Sequence, residues 1–116
     1  MKAPARPKVS ERELQGVVID LAHTLGWKVA HFRSVATRRP DGSVRYMTPV
    51  QADGAGFPDL VLVRRDRILF VELKAQRGQL ETAQLDWLGA LRFAGAETHV
   101  WKPAHYFAGD IERTLA

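Results

Sequence analysis

The stretch that most restricts this chain is Gly56–Lys74, GFPDLVLVRRDRILFVELK. Two apolar runs flank a short charged segment, which predicts an antiparallel hairpin of strands Leu60–Arg64 and Ile68–Lys74. With the turn centred on Asp66, Asp59 falls opposite Leu73, beside Glu72 and Lys74. Side chains alternate along a strand, so Glu72 and Lys74 share a face. The three polar residues are therefore expected to meet at one end of the sheet. Pro58 stands just before the first strand, where its missing N–H costs least. Gly54 and Gly56 leave room there for the close approach of something large.

The rest of the chain supplies layers for this hairpin. From Ser10 to Leu25, Leu14, Val17, Val18, Leu21 and Leu25 form an apolar stripe of helical period, with Gly26 as its stop. Ser10 and Glu13 fit a capping box. Trp27–Arg33 reads as a strand, Glu81–Ala94 as a second helix with Gln84, Trp87, Leu88 and Leu91 on one face, and Glu97–Lys102 as a last strand. Pro103 opens a terminal helix through about Leu115, with Gly109 a weak point in it. The long polar segment 34–56 carries the turn signal RPDG and is expected to form a small flap. The order α-β-β-β-α-β-α implies an α/β fold: a small mixed four-stranded sheet flanked by helices. At 116 residues the chain suits a basic tail over 1–9 and one domain over 10–116.

Several classes drop out on composition. No apolar run approaches the ~18 residues of a membrane span, and the N-terminus lacks the apolar segment of a signal peptide. Cysteine is absent, which removes disulfides and thiolate metal sites. A cytoplasmic, bacterial or phage-type setting is the expectation. A formal charge of +4 favours a polyanionic partner.

Two close carboxylates repel each other unless a cation lies between them. The oxygens of Asp59 and Glu72, with the Leu73 carbonyl as a further donor, suit Mg²⁺ or Mn²⁺. A lysine at position 74 would orient or deprotonate a water and stabilise charge on a phosphate, and the assembly suits phosphodiester hydrolysis. The competing reading is an ordinary pair of exposed strand ends with a Glu–Lys pair.

GFPD followed by VELK resembles the PD-(D/E)xK nuclease superfamily. SERELQ at Ser10–Gln15, GFPD at Gly56–Asp59, ELKA at Glu72–Ala75, and Leu80 with Gln84 and Trp87–Leu88 resemble its VRR-NUC branch, in order from about Ser10 to Lys102. The resemblance implies a restriction-endonuclease-like core and a metal-dependent nuclease, with Asp59, Glu72 and the Leu73 carbonyl on the metal and Lys74 catalytic. Stand-alone members are similar to Holliday-junction resolvases, which implies branched DNA as the partner and roles in repair or recombination. The pattern E-x-x-[apolar]-Q nominates Glu11 as a further acid, with Gln15 after it. On a helical wheel Glu11 lies at the edge of the apolar stripe and Glu13 points away, although Glu11 also suits simple helix-dipole stabilisation. Gln84 is expected beside Lys74, orienting it or touching phosphate.

Arg33, Arg38, Arg39, Arg45 and Arg77 cluster around this site, and with Gln15 they form the candidate DNA-binding set. No base-reading motif is present, so recognition by structure is expected. Paired cuts in a junction imply a two-fold homodimer; no small-molecule cofactor is expected. The alternatives are a non-catalytic DNA-binding module with a nuclease fold, or a nuclease for single-stranded DNA or RNA.

Overall fold

The protein is seen in a computed structural model that describes residues 8–32, 35–47 and 50–116. The hairpin lies at its centre. β4 (Leu60–Arg64) and β5 (Arg67–Leu73) pair antiparallel, from Leu60 with Val71 to Arg64 with Arg67. The turn is the two-residue Arg65–Asp66, with Arg65 at φ 56°, tighter than a turn centred on Asp66. Two-residue turns with positive φ match the twist of paired strands, which favours this register. Continuing it places Asp59 opposite Glu72, one residue from the position expected.

Further strands extend both sides. β1 (Lys28–His31) pairs antiparallel with β4, and β6 (Glu97–Trp101) pairs parallel with β5. The order is β1-β4-β5-β6. A parallel neighbour requires a crossover, supplied by α2 (Thr82–Phe93). The expected α/β architecture with a four-stranded mixed sheet is therefore present, and it has the form of a small nuclease-like core. The flap adds two strands to the anticipated list: β2 (Val35–Arg38) and β3 (Val44–Met47) form a separate antiparallel ribbon. The RPDG turn closes it, with Arg39 N donating to Ser43 O at 2.8 Å.

Alternation sorts the hairpin into two faces. Leu60, Leu62, Leu69, Val71 and Leu73 are fully buried on one face, against Leu14, Val18 and Ala22 of α1 (Glu11–Thr24) and against Ile111 and Leu115. Val17, expected on the α1 stripe, is 38% exposed, and Ala22 takes its place in the core. The capping box forms as expected: Glu13 N donates to Ser10 Oγ at 3.1 Å, and Ser10 N to Glu13 Oε1 at 3.3 Å. α2 covers part of the opposite face, where Phe57 meets Phe70 and Trp87 edge to face.

The terminal helix is two helices, α3 (Pro103–Phe107) and α4 (Asp110–Leu115), divided by Gly109 at φ 79°. Their anchor is the basic turn. Arg64 Nη1 donates to Leu25 O at 3.0 Å and Leu115 O at 2.8 Å, and Arg67 donates to Thr114 O at 3.1 Å. Both guanidinium groups lie over the Trp27 ring, at 4.6 and 5.2 Å. These arginines are structural clamps. No helix among the described residues is long and apolar enough to cross a membrane.

The two faces carry different energetic weight. Leu62→Ala is expected to cost about 2–5 kcal/mol through lost burial and a residual cavity, whereas Ile68→Ala on the open face should stay within about 0.5 kcal/mol. Urea unfolding measures both; equal losses would contradict this assignment of faces.

Candidate active site

The site is built where β4 and β5 begin and end together. Asp59 immediately precedes β4, and its main-chain oxygen accepts from Phe32 N at 3.0 Å. Its Oδ2 accepts from Leu73 N at 2.8 Å, so the acid is held against the end of β5 by a main-chain amide. Glu72 projects from β5 to the α2 face and is only 1% exposed, the one buried charged side chain among the described residues. Lys74 follows β5, half-buried, with its N–H donating to Trp101 O at 3.0 Å. β4, β5 and β6 thus all contribute to placing this end.

Gln84 ties Glu72 to α2. Its Oε1 accepts from Glu81 N at 2.9 Å, which fixes the amide orientation and leaves Nε2 as the donor. Nε2 donates to Glu72 Oε1 at 2.9 Å. The glutamine therefore serves Glu72, in place of the lysine contact the sequence suggested. Glu72 Oε2 is buried with no hydrogen-bond partner. A buried oxygen without a donor is destabilising by on the order of 1–3 kcal/mol.

Burial first, then the negative charge and hydrogen-bonding proximity of Asp59, push the Glu72 carboxyl up to about 9. Lys74 opposes the rise and Glu11 adds to it. A proton on Glu72 would be shared with Asp59; with both groups ionised, two acceptors face each other unrelieved. Glu11, at the start of α1, is solvent-exposed but lies within electrostatic range. Partial desolvation raises its pKa first, Asp59 raises it further, and Lys74 lowers it. The first helix therefore delivers Glu11, and not its capping partner Glu13, to the edge of the site.

The donor chemistry fits a hard divalent cation. The unpartnered Glu72 oxygen beside the Asp59 carboxylate is an arrangement that a positive charge would relieve. Among the described residues no three His, Cys, Asp or Glu side chains form a closed cage. Two carboxylates completed by main-chain oxygen and water match the habit of Mg²⁺, which keeps several waters.

The loop before β4 explains its own glycines. A Cβ at Gly54 would collide with Val50, and one at Gly56, where φ is 82°, would collide with the main chain of Ala83. These glycines admit the protein's own neighbours, a correction to the expectation of a large approaching ligand. Trp87 Nε1 donates to Asp53 O at 2.9 Å and fastens the same loop to α2.

The remaining candidates are more dispersed. Gln15 is half-buried and its Nε2 lies 3.4 Å from His31 Nδ1. Arg38, Arg39 and Arg45 are exposed on the β2–β3 ribbon, and Arg77 is exposed in the loop after β5. Arg33 lies outside the described residues. Sequence reasoning missed the Leu73 amide as the partner of Asp59, because main-chain donors leave no compositional trace.

A mixed sheet with two acids and a lysine gathered at one end of its central hairpin has the layout of a nuclease core. The VRR-NUC domain family matches over residues 22–103, and the chain belongs to that family of nuclease-type domains. The match contains Asp59, Glu72, Lys74 and Gln84, and begins after Glu11 and Gln15, so it is shorter than the stretch from Ser10 expected from the motifs. Comparisons with curated proteins and with solved structures gave no match.

The raised Glu72 pKa has a definite sign for stability. Between the ordinary carboxylate range and about pH 9 the folded protein holds a proton that the unfolded chain releases, so metal-free stability falls as pH rises through this window. Glu72→Gln should flatten that fall and make the variant more stable than wild type at pH 8 in EDTA. Urea unfolding at pH 5 and pH 8 checks this; the same pH dependence in both proteins would contradict it.

Proposed function

We propose that the protein is a Mg²⁺- or Mn²⁺-dependent DNA endonuclease that hydrolyses phosphodiester bonds and selects branched DNA such as four-way junctions. The observation that carries this reading is the buried, unpartnered Glu72 Oε2 beside Asp59, with Lys74 acting electrostatically on Glu72. Asp59 and Glu72 would hold the cation, with the Leu73 carbonyl as a further donor and Glu11 at the margin. When bound, the cation would supply Lewis-acid polarisation of the phosphoryl group and a more acidic water.

The chain's own residues do the rest. Gln84 holds one Glu72 oxygen and so aims the other. The Leu73 amide orients Asp59. Lys74 offers a positive charge to the phosphate oxygens as negative charge accumulates, and its ammonium positions the attacking water. Exposed Arg38, Arg39 and Arg45 supply phosphate contacts without base reading. Symmetric cutting of a junction requires two such sites, so the reading includes a two-fold homodimer.

Cleavage of junction, flap, single-stranded and duplex DNA in Mg²⁺, Mn²⁺ and EDTA tests this reading. Wild type should cut a branched substrate only with metal, and Lys74→Ala should lower the rate by about 10²–10³-fold. No cutting by wild type in either metal, or undiminished cutting by Lys74→Ala, overturns it.

Gln84 gives a separate test of positioning. Gln84→Ala is expected to weaken metal affinity or activity by about 10–100-fold. The exposed neighbour Leu85 is the control, and Leu85→Ala should leave both unchanged. Equal behaviour of the two variants in a metal titration would remove Gln84 from the site.

A further inference from the structure

Beside the site lies a groove of about 650 Å³, formed by the chain leading into α1, the loop after β5 and the start of α3. Its walls include Lys8, Val9, Ala75, Arg77, Pro103 and Phe107. The loop is fastened to α3 by Ala104 N donating to Gln76 Oε1 at 2.8 Å, so the wall is braced by a hydrogen bond. The groove belongs to the neighbours of the site's own residues. Ala75 follows Lys74 directly, and Lys8 stands three residues before Glu11.

Its chemistry has two parts. Lys8 and Arg77 are exposed and in no ion pair among the described residues, and no aspartate or glutamate lines the groove. Val9, the buried Pro103 and the half-exposed Phe107 supply the apolar part of the lining. Positive rim and apolar floor together match a chain that alternates phosphates with sugars and bases. The volume lies within the range of pockets for small ligands, about 300–1,000 Å³, and is far too small for a duplex.

We propose that this groove holds a single-stranded segment of the DNA immediately flanking the phosphodiester at Lys74. The proposal rests on the nuclease reading for its position beside a reacting phosphate. Lys8 and Arg77 take successive phosphates, and Phe107 supports the sugar or base between them. The substrate class is then DNA with an unpaired strand next to the cut, as flaps and splayed junction arms provide, and a fully paired duplex cannot fill the groove.

Fluorescence anisotropy in EDTA separates this from general electrostatics. The probes are a fluorescein-labelled single-stranded 12-mer and the blunt duplex of the same sequence. The Lys8→Ala/Arg77→Ala double variant should bind the single strand about tenfold or more weakly, with the log–log salt slope reduced by about 1.4 for two lost phosphate contacts. Its duplex affinity should change less than about twofold, because the duplex does not enter the groove. The charge-preserving Lys8→Arg/Arg77→Lys variant should retain single-strand binding. Equal losses on both probes, or no loss on the single strand, overturns the proposal. Cleavage is not needed for this readout. A variant that binds both probes as wild type does, from a wild type that cuts in Mn²⁺, sinks the groove and leaves the nuclease reading. A wild type that never cuts but shows the predicted binding difference sinks the nuclease reading and supports the groove.

Discussion

Everything at the working end of this protein depends on two carboxylates confronting each other at the close of one hairpin. Asp59 and Glu72 are brought together by the register of β4 and β5. Asp59 is held by the Leu73 amide, and Glu72 by the Gln84 amide. Burial would ordinarily forbid such a pair. Here it is retained at the end of the central hairpin, with Lys74 as a compensating charge. The fold therefore stores an unsatisfied electrostatic demand at a place that opens to solvent through Glu11 and Lys74.

The layers around the hairpin divide the labour. One face is filled by leucine and valine against α1 and α4, and this packing keeps the strands in register. The other face carries the polar pair, and α2 reaches it through Gln84 at its first turn and Trp87 one turn later. The parallel strand β6 secures the chain just past Glu72 through Lys74 N and Trp101 O. At the opposite end, Arg64 and Arg67 clamp the last helix over Trp27, so the turn end anchors the terminal helices and the other end carries the acids.

Much of this was legible in the residues. Apolar runs around RRDR specified the hairpin, the α1 stripe specified its covering helix, and a Ser10–Glu13 capping box separated Glu13 from Glu11. The register slipped by one because turn geometry is decided by positive φ at Arg65, an ordinary residue that carries no glycine signal. The ribbon of β2 and β3 lay inside a long segment marked by its Gly, Pro and polar residues, where strands of four residues each leave little periodic signal. The roles of Gly54 and Gly56 were misread because a missing Cβ looks the same whether a ligand or Ala83 fills the space. The family resemblance put Gln84 near the site, but its partner depended on the Glu81 amide, a main-chain group no sequence pattern displays. The groove beside Lys74 was invisible for the same reason: Lys8, Arg77 and Phe107 are brought together only by folding.

The central claim is that Asp59 and Glu72 form a binding site for a divalent cation. Calorimetric titration of metal-free protein with Mn²⁺ at pH 7.5, in buffers of different ionisation enthalpy, tests it most directly. The account predicts uptake at one site per chain with release of a proton, because the Glu72 carboxyl holds one before the metal arrives. It also predicts loss of that uptake in Asp59→Asn. Absence of uptake by wild type, or uptake by Asp59→Asn with unchanged affinity, would contradict it.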